Sequence, residues 1–132
     1  MEIQWVMLAK EVRKNSDTTM CIDGIFHHLN NISPDKNVAM VLIVKLKPSI
    51  TEVGEIKQIG IAIQHTEKGL VWIQKTPYKV HDVYSVLYEH PYMARRLLNV
   101  KFPYSGEYTF KVIVPKECEK EESIMVSLEE DK

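Results

Sequence analysis

The chain has 132 residues, the length of one domain on the usual scale of about 100 to 200 residues. Val and Ile number 27 against 13 for Ala plus Leu, and adding Thr, Tyr, Phe and Trp gives 44 residues suited to a pleated, half-buried surface, which argues against a helical bundle, a coiled coil or a disordered chain. With 17 basic and 18 acidic residues, a net charge of -1, no global field favours nucleic acid or an anionic membrane.

Ile3 to Val12 reads as a strand, followed by a hairpin turn at Asn15-Ser16-Asp17-Thr18. Thr19 to Leu29 reads as the second strand, where Gly24 marks a bulge or a close backbone approach, and Asn30 to Asp35 as a loop. From Val38 to Lys47 the even positions Val38, Met40, Leu42, Val44 and Leu46 are apolar and the first half is apolar on both faces, the pattern of a central strand. Ile56 to His65 places Ile59, Ile61 and Ile63 on one buried face, and Glu67-Lys68-Gly69 joins it as a hairpin to Leu70-Val71-Trp72-Ile73, a strand that Pro77 is expected to close. Tyr78 to Asn99 admits two readings, a strand through Val80, Tyr84, Val86 and Tyr88 or a helical face of Val83, Val86, Leu87 and His90; its Tyr and Val content favours the strand. Arg96, Leu98, Val100 and Phe102 alternate, as do Tyr108, Phe110, Val112 and Val114. Lys116 to Glu122 reads as a charged loop, Ser123 to Leu128 as a last strand and Glu129 to Lys132 as a solvated tail. Eight or nine strands roughly 10 to 15 residues apart predict an all-β fold, an antiparallel β-sandwich of Greek-key, immunoglobulin-like or jelly-roll-like type, in a single domain over residues 1–132. Trp5, Phe26, Leu42, Val44, Ile61, Ile63, Phe110 and Val112 are its expected core.

The longest apolar run, Val38 to Val44, falls far short of the ~18 residues of a membrane span, and Glu2 stands where a signal peptide carries a base. Cys21 and Cys118 have no CxxC or CxxH spacing, and Cys21 reads as a small core hydrophobe. Together these features predict a cytoplasmic protein with no membrane contact.

Trp5 to Val12, a polar turn and Ile22-Asp23-Gly24-Ile25-Phe26 resemble the opening of a family of small uncharacterised bacterial proteins, whose first hairpin joins an apolar strand to an Ile/Leu-x-Gly-x-Phe strand. Phe102-Pro103-x-x-Gly106-x-Tyr108-x-Phe110 is similar to that family's Phe-Pro-x-x-Gly-x-Tyr segment. The resemblance implies a β-sandwich and supplies no active residue. Gly106, Tyr108 and Phe110 also read mechanically, as a corner in which the Tyr108 hydroxyl bonds a backbone group, rather than as a catalytic phenol.

No catalytic constellation is visible. His27 and His28 point to opposite faces of a strand, and neither H-x-H nor H-x-x-x-H spacing occurs among the histidines. Distant His65, His81 and Asp82 are the residual metal candidates, for metal-assisted hydrolysis. No G-x-S-x-G elbow or phosphate-binding glycine loop is present, so no cofactor is expected. Tyr78, Tyr84, Tyr88, Tyr92 and Tyr104 with Arg95 and Arg96 form a candidate interaction surface, since Tyr and Arg are enriched where proteins meet. The flanking Asp82, Glu89 and Glu107 argue against nucleic acid there. The leading expectation is a non-catalytic interaction or structural module that self-associates or pairs with another protein through an edge strand, Ser123 to Leu128. The alternatives are a carbohydrate- or small-ligand-binding sandwich using Trp72 and the tyrosines, and the metal-assisted hydrolase.

Overall fold

A computed structural model describes residues 1–14, 20–80 and 92–129. Nine strands are present among them: β1 (Glu2–Lys14), β2 (Met20–Ile25), β3 (His28–Ile32), β4 (Val38–Lys47), β5 (Ile56–His65), β6 (Gly69–Lys79), β7 (Tyr92–Val100), β8 (Gly106–Val114) and β9 (Cys118–Leu128). They form two sheets, of order β2-β1-β4-β7 and β3-β9-β8-β5-β6. Every pairing is antiparallel except β3 with β9. The fold is an all-β sandwich. No helix among the described residues is long and apolar enough to cross a membrane.

Period-two patterning places the core between the sheets. Met40, Leu42, Val44 and Leu46 face inward from β4, Ile59, Ile61 and Ile63 from β5, and Tyr108, Phe110, Val112 and Val114 from β8. β4 lies between β1 and β7, and its middle, Met40 to Val44, is buried on both faces, while Ala39 in the first half is exposed. Val41 and Ile43 join Ala9 in a second apolar cluster. Trp5 belongs beside that cluster and is only partly buried, a correction to its expected core position. The reason is parity, since Trp5 pairs with Lys45 on the face opposite to Val6 and Leu8.

Several expected boundaries differ. The expected strand from Thr19 to Leu29 is, from Met20 onward, two strands, because the chain leaves one sheet after Ile25 and joins the other at His28; Thr19 lies outside the described residues. At this crossing Phe26 N–H donates to Leu8 O and Met125 N–H to His27 O. Gly24, at φ +71°, lies close against Lys10, whose side chain a Cβ would approach to 3.0 Å. Asn30 to Ile32, expected in a loop, belongs to β3. β6 continues through Pro77 instead of ending there. It is an edge strand, so the missing proline N–H forfeits no ladder bond on its open side. The charged stretch Lys116 to Glu122 is mostly β9, turned back by the short link after Val114, where Lys116 takes φ +65°. Glu119 and Glu121 sit exposed on a strand with a solvated face, which composition alone does not separate from a loop.

Ser123 to Leu128 is not an edge. Its strand pairs with β8 on one side, and Met125 to Leu128 pair with β3 on the other, so most of its backbone groups are used. Cys21 is half-buried with Sγ 3.6 Å from Asp23 Oδ1, not a core residue. The expected turn at Asn15 to Thr18 and residues 81–91 of the ambiguous segment lie outside the described residues.

Candidate functional site

β6 and β7 are the edge strands on one side of the sandwich, bridged where Arg96 Nε donates to Gln74 Oε1 at 3.3 Å. The registers explain the meeting. Arg96 is opposite Leu42, and Gln74 and Thr76 are opposite Ile61 and Ile59, all on inward parity. Beside this bridge the sheets leave a cleft of about 250 Å³. Leu42 and Val44 of β4 and Ile59 and Ile61 of β5 supply its apolar walls. Thr76, Pro77, Tyr78 and Arg96 complete its lining. Thr76 Oγ1 is shielded from solvent and has no hydrogen-bond partner among the described residues.

Of the tyrosine–arginine surface expected from sequence, the structure gathers Tyr78 and Arg96 at this cleft. Tyr104 is elsewhere: it packs on His65 at the far end of β5, about 26 Å along the strand from Lys57, the partner of Tyr78, at ~3.3 Å per residue. Tyr84 and Tyr88 lie outside the described residues, as do the side chains of Tyr92 and Arg95. Trp72 faces Ile63's side of the sheet and packs half-buried on the core, so it is no exposed platform for sugar stacking.

The corner before β8 is a second polar centre. Tyr108 is fully buried, and its hydroxyl donates to Tyr104 O at 2.7 Å and accepts from Tyr104 N–H at 3.0 Å. Burial pushes its phenol pKa up, opposed by the bond to Tyr104. Its ring meets Phe102 edge-on at 5.0 Å and His65 at 4.9 Å. His65 Nδ1 accepts the amides of Glu67 and Lys68, both at 3.1 Å, which leaves the ring proton on Nε2 to be donated to Ser105 O at 2.8 Å. Both nitrogens are therefore occupied, and His65 is corrected from a metal candidate to a fastener of the β5–β6 turn. His81 and Asp82 lie outside the described residues; among those described, no three His, Cys, Asp or Glu side chains are grouped to hold a metal ion. Gly106, at φ +127°, leaves room for that histidine: a Cβ would stand 2.8 Å from Nε2.

At the other end of β5, Met1, Glu52, Lys57 and Glu117 form a charged network. The α-ammonium group reaches Glu52 Oε1 at 2.7 Å and Glu117 Oε1 at 3.1 Å, and Lys57 Nζ reaches Glu52, Glu55 and Glu117. Burial alone would raise the Glu52 pKa; hydrogen bonds from the α-ammonium group, the Ser49 amide and Lys57 outweigh it and hold the carboxyl well below the usual range. Every charge here has a protein partner, so the network reads as a fastening.

Sequence reasoning missed Thr76 and Gln74, although their parity with Trp72 and Tyr78 on β6 was available to find them.

No family profile and no curated protein matches the chain. Among solved structures, it is similar to part of a β-glucosidase from Listeria innocua, in complexes with gluconolactone, isofagomine and glucose. Each has a TM-score of 0.46 and 11% identity over 93% of this chain. The match spans only 16% of the glucosidase chain.

Proposed function

We propose that the chain is a non-catalytic, cytoplasmic small-ligand-binding module whose ligand seats between the sheets against Leu42, Val44, Ile59 and Ile61. The observation that carries this reading is the intersheet cleft of about 250 Å³, walled by Leu42, Val44, Ile59 and Ile61 and lined also by Thr76, Tyr78 and Arg96. Pockets of this kind, mostly apolar with a few convergent polar groups, are the usual small-molecule sites. The free thiols Cys21 and Cys118 support a reducing compartment. The test is a ligand-observed NMR screen of small apolar and amphiphilic compounds on the wild type and on Ile61→Phe, which fills the cleft. Binding abolished by the filling supports the reading; binding unchanged by it contradicts it.

A second reading, contact with another protein or a second copy, is supported by the edge strand β6. Leu70 and Ile73 are 54% and 60% exposed there, while Lys75, Pro77 and Lys79 guard the remaining half. Light scattering at tens of micromolar tests the self-associating form; a strict monomer contradicts it.

A further inference from the structure

We infer that the ligand of the intersheet cleft is a small monocarboxylate with an apolar tail, its carboxylate held by Arg96; this rests on the reading of the cleft as a binding site. Size sets the first limit. An apolar cavity of about 150 Å³ accommodates benzene, so the cleft takes a body of about ten non-hydrogen atoms. The walls set the second. Leu42, Val44, Ile59 and Ile61 offer side chains without polar atoms, which suits a hydrocarbon tail and leaves the hydroxyls of a sugar unmatched.

Charge sets the third. Arg96 shares the inward parity of Leu98 and Val100 and, half-buried, lines the cleft beside Leu42 and Val44. Its one protein partner among the described residues is neutral, the Gln74 side-chain oxygen on Nε. The ion pairs of the described residues are made by Met1, Arg13, His27 and Lys57, and none uses Arg96. Gln74 orients the planar group and leaves its two terminal nitrogens to receive both oxygens of a carboxylate, the geometry in which arginine is strongest. An ammonium head would meet repulsion there, and a neutral alcohol would gain only an ordinary hydrogen bond.

Calorimetric titration of the whole chain with octanoate, octan-1-ol and octylammonium tests this, using the wild type, R96Q and I61F, each checked for folding by circular dichroism. Octanoate is expected to bind about tenfold or more tightly than octan-1-ol, the worth of one charge-assisted contact. R96Q should bring octanoate down to the level of octan-1-ol while changing octan-1-ol less than about twofold, and I61F should weaken both. If octan-1-ol or octylammonium matches octanoate, or if R96Q leaves octanoate binding intact, the carboxylate assignment is overturned and the cleft reading stands. If no eight-carbon probe binds, or if I61F leaves binding undiminished, the cleft reading itself falls. Should R96Q not fold, R96K keeps the charge and loses the fork; a loss of octanoate affinity supports the assignment and an unchanged affinity overturns it.

Discussion

The hydroxyl of Tyr108 bonds both backbone groups of Tyr104, donating to its carbonyl and accepting from its amide across the turn that leads into β8. A single side chain thereby replaces the ladder bonds that the Pro103 to Ser105 turn lacks. Tyr108→Phe keeps the packed ring and removes both hydrogen bonds to the part-buried Tyr104 backbone, so a loss of about 1–3 kcal/mol, about 0.5–1.5 kcal/mol for each bond, is expected in urea denaturation. A variant as stable as the wild type would refute the corner's role. The raised Tyr108 pKa has a defined sign. The stability it represents is present below the ordinary phenol value and is lost as pH rises through the higher folded value.

The ring of His65 carries its proton on Nε2, as its three backbone partners require. Nitrogen-15 chemical shifts of the imidazole should therefore report the Nε2–H tautomer. The Nδ1–H form would contradict the arrangement, since that hydrogen would point at the amides of Glu67 and Lys68.

Glu52 gives the charged network its pH dependence. Its folded pKa is depressed, so its contribution is present above the ordinary glutamate value of about 4.3 and is lost as pH falls below it. The α-ammonium group is shifted the opposite way. Burial opposes its charge, and the bonds to Glu52 and Glu117 outweigh that effect, so its contribution is present below about 8 and is lost as pH rises through the higher folded value. Glu52→Gln should cost about 1.5–3 kcal/mol at neutral pH and flatten both limbs of the stability profile. A profile parallel to the wild type would refute the network's contribution.

Phe110 and Leu97 set the scale for the rest of the fold. Phe110 is fully buried between the sheets, and Phe110→Ala should cost about 3–5 kcal/mol. Leu97 is 83% exposed on β7, and Leu97→Ala should stay within about 0.5 kcal/mol. Chemical denaturation of both variants checks the assignment of faces.

The inward faces of β4, β5 and β8 were readable because Leu42, Ile61 and Phe110 each sit in a two-residue alternation, and burial of one face enforces that alternation. Sheet order was not readable. Whether Ser123 to Leu128 lies at an edge depends on which strand comes beside it, and its neighbour β3 arrives through a parallel pairing with no local signature. Phe26 and His27 hid a sheet crossing for the same reason: residues on either side of a switch have strand-like chemistry. At the cleft, Tyr78 and Arg96 were legible as residue types. Their meeting with Thr76 depends on the β5–β6 register and on the stacking of two sheet edges, which are long-range properties.

Amide chemical shifts recorded while octanoate is titrated into the labelled chain test the binding account most directly. We expect saturable shifts at Leu42 and Val44 on β4, Ile59 and Ile61 on β5 and Thr76 on β6, with the amides around His65 and Tyr108 unmoved. Shifts confined to that corner, or no saturable shift along β4, β5 and β6, would contradict a ligand site between the sheets.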